Sequence, residues 1–327
     1  MTRPVALRLL RDYDIPLLQR DSAALDSAKW APVTLYNALA EGGSSAPIRP
    51  KGEGVALYGK GGAADSMSPG MSMQPYAPTE LLACTPYFRE VLDGLECEKL
   101  SVRLLALYPE GVIGTHFDEY LGFGFGQVRF HIPIVDHVDA VFTVGSERVP
   151  WRDGELWWCD FAVPHQAYQG SSLRRVHMVL DVAVNEFVLS LFPPPFIEEL
   201  QRRDLVTMPV PVVPMAESDL RHFECEFTVP RNVLPGADFE IPGSLRMIEG
   251  RLTVCAAGRP IAGLDPVGPT RFAPIGMARA TIFFDAELAD GAVTRLAVTR
   301  PREHTDFRHP ERFELPLKQT TRSAAPA

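Results

Sequence analysis

Two histidines and an aspartate carry the first chemical signal in this chain: His116 and Asp118, separated by Phe117, and His165 far downstream. Side chains at i and i+2 of a β-strand point to one face, so His116 and Asp118 can grip a single metal. With His165 from a distant strand they make a two-histidine, one-carboxylate face. On an octahedral Fe(II) that face leaves about three positions open, room for an organic acid and O2. Arg175 follows His165 by ten residues, and its planar fork suits bidentate capture of a carboxylate. Two further pairs share strand faces: Arg129 with His131, and Arg175 with His177. An arginine turned into a barrel is costly unless a carboxylate meets it. That carboxylate could belong to an organic acid or to the protein's own Asp160 or Asp181; an outward, solvated face is the remaining alternative. An HxD by itself arises often by chance as an ordinary strand-edge pair. The third ligand and the arginine behind it are what lift this one above that reading.

The elements that must position these residues are strands. From Lys99 the pattern has a period of two: Val102, Leu104 and Ala106 alternate with Arg103 and Leu105. Further strands are predicted at Val128–Val135, Ala140–Val144, Glu155–Cys159 and Arg175–Val184, with Pro150, Gly154 and Gly170-Ser171-Ser172 between them. Short strands broken by turn signals indicate a sandwich or barrel, and a double-sheet jelly roll has an inner face that makes a ligand cavity. The run Gly122-Phe123-Gly124-Phe125-Gly126 precedes a strand and not a helix. It is therefore a loop, without the helix N-terminus that binds phosphate. Helical character is expected at Ile15–Leu25, at Thr79–Leu95 with a break or kink at Pro86, and at Phe196–Leu205. Loops are expected at Glu41–Ser45 and Ser66–Gly70. The proline-rich stretch from Met208 to Pro214 suits neither an internal strand nor a helix. The expected organisation is a jelly-roll domain over 1–205, a linker over 206–215, a β-rich region over 216–320 with a hairpin at Asp290-Gly291, and a disordered tail at 321–327.

Composition narrows the classes. The chain has 327 residues, 46% of them hydrophobic, ample for one large core or two. A net charge of -9, with basic residues scattered, disfavours a nucleic-acid partner. Five dispersed cysteines without a CxxC read as reduced thiols of a cytoplasmic protein. Arg8 and Arg11 come too early for a signal-peptide core, and no apolar run approaches the ~18 residues of a membrane span. His137, His222, His304 and His309 have no partner spacing and default to the surface. Trp157 and Trp158 suit core and rim.

The set His116-x-Asp118, Arg129-x-His131-Ile132-Pro133, Gly154-Glu155-x-Trp157, His165 and Arg175-Val176-His177-Met178-Val179-x-Asp181 resembles the aspartyl/asparaginyl β-hydroxylase family, which includes proline cis-hydroxylase-like enzymes, among the Fe(II)/2-oxoglutarate dioxygenases. It covers residues from about 50 to 190. The resemblance implies a mainly β, double-stranded β-helix core with flanking helices. It implies His116, Asp118 and His165 as iron ligands, and Arg175 on the distal carboxylate of 2-oxoglutarate. Arg129 and His131 match positions that help hold 2-oxoglutarate in the vertebrate-type aspartyl hydroxylases. Those enzymes lack the carboxylate ligand, whereas Asp118 is present here, as in the free-proline hydroxylases; the glycine-rich insert also lengthens the gap from Asp118 to Arg129. A retained Asp118 argues against halogenation, for which related enzymes put a small residue there. The implied reaction is hydroxylation of an amino acid, free or within a peptide, with O2 and 2-oxoglutarate consumed. His177 and Trp157 are candidate substrate contacts, although a satisfied inward histidine and a core tryptophan explain them as well. The C-terminal region could recognise a peptide, buttress the barrel or make a homodimer. Rival classes are a non-catalytic metal-binding or sensing barrel and an isomerase of the cupin sort. Release of succinate from 2-oxoglutarate separates them.

Overall fold

Alternating apolar and polar residues along short segments produce strands that cover one face with oil and keep the other for polar groups. The computed structural model describes residues 3–32, 52–231, 238–300 and 312–318. The loop expected at 41–45, His304, His309 and the expected tail at 321–327 lie outside them. The chain divides into two compact units: residues 1–70, 75–209 and 276–278 form the first, and 71–74, 210–275 and 279–327 the second.

The first unit contains β1 (Ala6–Asp12), β2 (Ala31–Pro32), β3 (Gly52–Lys60), β4 (Tyr76–Pro78), β5 (Lys99–Leu107), β6 (Val112–His116), β7 (Gln127–Val135), β8 (Ala140–Val144), β9 (Glu147–Arg148), β10 (Glu155–Cys159), β11 (His165–Gln169) and β12 (Arg175–Ala183). One sheet runs β1-β10-β7-β12-β5-β3-β2, with β4 on β3, and a smaller one runs β6-β11-β8-β9. From β5 to β12 the chain passes back and forth between these sheets, which is the winding of a double-stranded β-helix, or jelly roll. Neighbours in space are therefore far apart in sequence: β12 lies between β5 and β7.

The outward face of the larger sheet is apolar. Val102 and Leu104 of β5, Phe130, Ile132 and Ile134 of β7, and Val176, Met178, Leu180 and Val182 of β12 form one core with Leu18, Phe88, Leu92, Phe192 and Ile197. Those last five come from α1 (Ile15–Ala23), α2 (Pro86–Asp93), the turn after α3 (Glu186–Ser190), and α4 (Pro194–Arg202). Helix starts follow simple chemistry. Asp14 and Asn185 cap α1 and α3, accepting from the N–H groups of Leu17 and Val188 at 2.9 Å. Pro86 does break the segment predicted at 79–95: a short 3-10 turn over Glu80–Ala83 precedes it, and α2 starts with the proline at its first position. The buried Asp21 carboxylate accepts from the Tyr87 and Phe88 N–H groups at 2.7 and 3.0 Å, pinning the start of α2. No helix among the described residues is long and apolar enough to cross a membrane.

The second unit holds α5 (Glu217–Leu220) and the strands β13 (Cys225–Val229), β14 (Ile241–Ile248), β15 (Arg251–Ala256), β16 (Arg259–Pro266), β17 (Arg271–Pro274), β18 (Phe283–Ala289), β19 (Ala292–Thr299) and β20 (Arg312–Glu314). They pair in sequence order, β13 through β20. Residues after β20 then return to β13: Leu317 bridges Phe227, and the Thr228 and Lys318 N–H groups donate to Pro316 and Glu226 carbonyls at 2.9 Å. The meander closes on itself. Asp290 and Gly291 take φ of 53° and 72°, the left-handed conformation that a tight hairpin turn requires. Gly243 faces Phe227 across the ladder, where a Cβ would run into the phenyl ring. The proline-rich stretch is tied down at two points, with Val210 and Val213 N–H groups donating to Arg279 and Pro266 carbonyls at 3.0 and 2.8 Å.

Candidate metal centre

His116 is the last residue of β6 and His165 the first of β11, and the two face each other directly across the ladder. Their rings lie 4.2 Å apart between centroids. Each Nδ1 sits beside a carbonyl two residues upstream, Gly114 at 2.8 Å for His116 and Val163 at 3.0 Å for His165. A carbonyl only accepts, so both Nδ1 atoms carry a proton, and Nε2 is the nitrogen each ring can turn to a metal. Asp118 departs from the expected strand alternation, because β6 ends at His116. Its place is set instead by its own N–H, which donates to the Phe161 carbonyl at 2.9 Å. The ligand atoms of His116, Asp118 and His165 all lie within 4.8 Å of one another. Among the described residues no other such cluster occurs.

Electrostatics favour metal-ready forms. Burial pushes His165 down to about 4, only partly opposed by Asp118, so its ring is neutral at ordinary pH. Burial would raise the Asp118 carboxyl, but Arg129 and both histidines hold it below its usual value. Two imidazoles and one carboxylate at this spacing fit Fe(II).

Above the centre, the inward face of β5, β7, β12 and β10 carries the polar groups. Arg129 grips Asp181 with a fork, Nε to Oδ1 at 2.5 Å and Nη2 to Oδ2 at 3.0 Å, while its Nη1 donates to Asp118. Arg103 Nη2 reaches the same Asp181 at 3.1 Å. Burial works against the Arg129 charge, yet Asp118 and Asp181 raise its pKa. Arg175 pairs with Asp136, Nε to Oδ1 at 2.9 Å, and its Nη2 lies 3.2 Å from His177 Nδ1. Because the guanidinium only donates, His177 Nδ1 accepts, and its Nε2–H points to Asp136 at 3.4 Å. His131 Nδ1 lies 3.4 Å from the same His177 nitrogen and must be the donor there. Burial drives His131 well below its ordinary value and His177 to about 4.

The sequence-predicted residues thus share one region, with distinct occupations. His116, Asp118 and His165 converge. Arg175, His177 and His131 form a second group with Asp136, and Arg129 spends its fork on Asp181 and Asp118. Trp157 is buried and donates its indole N–H to Glu155 at 2.9 Å. His222 is exposed and lies 3.1 Å from the Gly291 carbonyl. Pattern reading missed Arg103, Asp136, Phe161 and Trp151. The Phe161 ring stacks on His131 at 5.0 Å and meets His165 edge-on at 4.9 Å. Trp151 meets His131 and His177 at 4.9 and 4.8 Å. Arg103 showed one usable sign, a charge on the face of β5 opposite the apolar Val102 and Leu104; the other three showed none. Two buried polar atoms here have no hydrogen-bond partner, Trp151 Nε1, whose ring lies 5.7 Å from the Arg175 guanidinium, and His131 Nε2. An orphaned indole N–H next to an arginine fits a carboxylate-bearing ligand such as 2-oxoglutarate.

A jelly roll with two histidines and a carboxylate at its mouth is the frame of a metal-dependent oxygenase. The chain belongs to the aspartyl/asparaginyl β-hydroxylase family, whose profile matches residues 14–184, just over half of the sequence. It is an oxygenase of that family. Among solved structures, an oxidoreductase of the 2OG-Fe(II) oxygenase family from Burkholderia pseudomallei is similar at 11% identity and a TM-score of 0.35, covering 51% of this chain and 77% of that one. HygX from Streptomyces hygroscopicus, solved with nickel and 2-oxoglutarate bound, is similar at 10% identity and a TM-score of 0.36, covering 56% and 84%. None of the curated proteins matches the chain.

Proposed function

We propose that this protein is an Fe(II)/2-oxoglutarate-dependent hydroxylase of an amino acid, taken free or as a residue of a peptide. The observation that carries the reading is the convergence of His116, Asp118 and His165 ligand atoms within 4.8 Å in a chain of this family. Those three residues hold the iron. The chemistry that Fe(II) supplies when bound is O2 activation, coupled to conversion of 2-oxoglutarate to succinate and CO2 and to hydroxylation of an unactivated C–H bond. Arg175 anchors the distal carboxylate of 2-oxoglutarate, with the Trp151 indole N–H as a second donor. His131 and His177, stacked among Phe161 and Trp151, hold the inner wall of that pocket and keep water out. For orienting a substrate carbon the sequence pattern offers Trp157 and His177, both buried. The chemistry is assigned to residues 1–205, the stretch 206–215 is a connector, and 216–320 is the second β-rich region. Five unpaired cysteines agree with a cytoplasmic setting.

Succinate release from 2-oxoglutarate by the Fe(II)-loaded protein, combined with a screen for products heavier by one oxygen over free amino acids and small peptides, tests the reading. The expected result is substrate-stimulated succinate release that His116→Ala abolishes. No turnover with any such substrate, together with iron binding unchanged in His116→Ala, would remove it.

A further inference from the structure

We infer that the buried chain Arg103–Asp181–Arg129 is a positioning device for the metal ligand Asp118, and that Arg129 serves this ligand and not the carboxylate of the cosubstrate. The inference rests on the reading of His116, Asp118 and His165 as the metal site. Its starting point is an asymmetry among the three. The histidines sit on paired strands, in register, each with Nδ1 fixed to a carbonyl. Asp118 stands beyond the end of β6, where no ladder holds it, and ligands carried on loops are the least precisely placed. Its carboxylate is a quarter exposed, so packing does not fix it either. Two contacts do: the backbone bond to Phe161 and the side-chain bond from Arg129.

Arg129 can orient a carboxylate only if it is itself immobile. Asp181 supplies that, facing Arg129 across the β7–β12 ladder and taking Nε and Nη2 in a fork. Asp181 is in turn fixed from the other side by Arg103 of β5, whose Nη1 donates to the Met67 carbonyl at 3.2 Å. Positive and negative groups thus alternate from Arg103 to Asp118 across three adjacent strands. Buried ionic chains are poor stabilisers, since an apolar set of equal volume does as well or better. A chain that ends on a metal ligand has a second reason to exist. Asp118 and Asp181 take three of the five guanidinium N–H donors of Arg129.

The test is titration of the metal-free full chain with Co(II), followed by calorimetry and by the visible spectrum of the bound ion. Asp181→Asn and Arg103→Met should weaken Co(II) by about 10- to 100-fold and shift the spectrum, as loss of outer partners does elsewhere. Arg103→Lys should recover part of both. Binding of 2-oxoglutarate to the Co(II)-loaded protein should survive these changes and be lost in Arg175→Met. In an Asp118→Ala background, Asp181→Asn should have no further effect on Co(II). Wild-type Co(II) affinity and spectrum in a folded Asp181→Asn or Arg103→Met protein would overturn the inference, as would an equal loss with Asp118 absent. If Asp181→Asn does not fold, the pair Arg103→Met and Arg103→Lys decides alone. A Co(II) affinity indifferent to His116→Ala marks a different failure, that of the metal site itself.

Discussion

Two eight-stranded antiparallel systems stand side by side in this chain's sequence, and their interiors are opposites. Strands β5–β12 of the first unit bury Arg103, His131, Arg175, His177 and Asp181 among their inward residues. Strands β13–β20 of the second bury Phe227, Leu245, Leu252, Leu264, Phe272 and Leu296, and among the described residues that unit buries no charged side chain and no histidine. Connectivity differs in the same sense. The second pairs each strand with its sequence neighbour, so local hairpins suffice to build it. The first sends the chain between two sheets and brings His116 opposite His165. A winding of that kind costs more loop closure, but it gathers distant residues on one wall. The contrast teaches that charge inside a barrel is a choice made for chemistry, since the same chain also makes one without it.

The contrast can be broken most directly at Asp181. Asp181→Leu leaves two buried arginines without their shared acid and should cost the first unit about 3–5 kcal/mol. All four tryptophans lie in that unit, so chemical denaturation read by tryptophan emission reports on it alone. A loss much smaller than this would mean that the buried charges are not mutually dependent. The matching lesion in the second unit, Phe272→Ala, should cost about 3–5 kcal/mol by opening a cavity, measured by far-UV circular dichroism melts. Co(II) affinity should be untouched by it; a fall would erase the functional side of the comparison.

A smaller effect is expected from pH. His177 has a folded pKa of about 4, set by burial and by Arg175 against Asp136, below its unfolded value of about 6.5. The unfolded chain therefore takes up a proton between these values that the folded chain refuses. Stability is complete above pH 6.5 and falls as pH drops towards 4, with His131 and His165 acting in the same direction. Asp118 and Asp136, held low, lose their contribution only at more acid pH. The tryptophan-detected melting midpoint should decline from pH 7 to 5, and less steeply in His177→Gln. The smallest change is expected on the apolar face of the same strand: Met178→Leu should cost less than about 1.5 kcal/mol and leave Co(II) affinity alone.

Much of this molecule was legible before any coordinates. Period-two runs marked β5, β7, β8, β10 and β12, and residue type with spacing singled out His116, Asp118, His165 and Arg175. What escaped were relations across strands. Asp136 reads as an ordinary acid after β7, because nothing local says that β12 brings Arg175 to it. Arg103 was visible as an odd charge, but its partner Asp181 depends on β5 and β12 being neighbours. The return of residues 316–318 to β13 joins the two ends of a meander and has no signature in either segment. Asp118 shows the limit from the other side: an i+2 spacing suggested a shared strand face, whereas the strand stops at His116 and a loop completes the job.

The twin carbonyl contacts of His116 and His165 bear on the proton inventory of metal loading. Each imidazole donates from Nδ1 and turns Nε2 to the site, burial keeps His165 neutral, and Asp118 is held in its ionised form. At pH 8 an incoming divalent ion has no proton to displace from His165 or Asp118. The calorimetric heat of loading should then be the same in phosphate-free buffers of high and low ionisation enthalpy, such as Tris and HEPES. Thiolate sites, which release protons as they fill, cannot show this indifference.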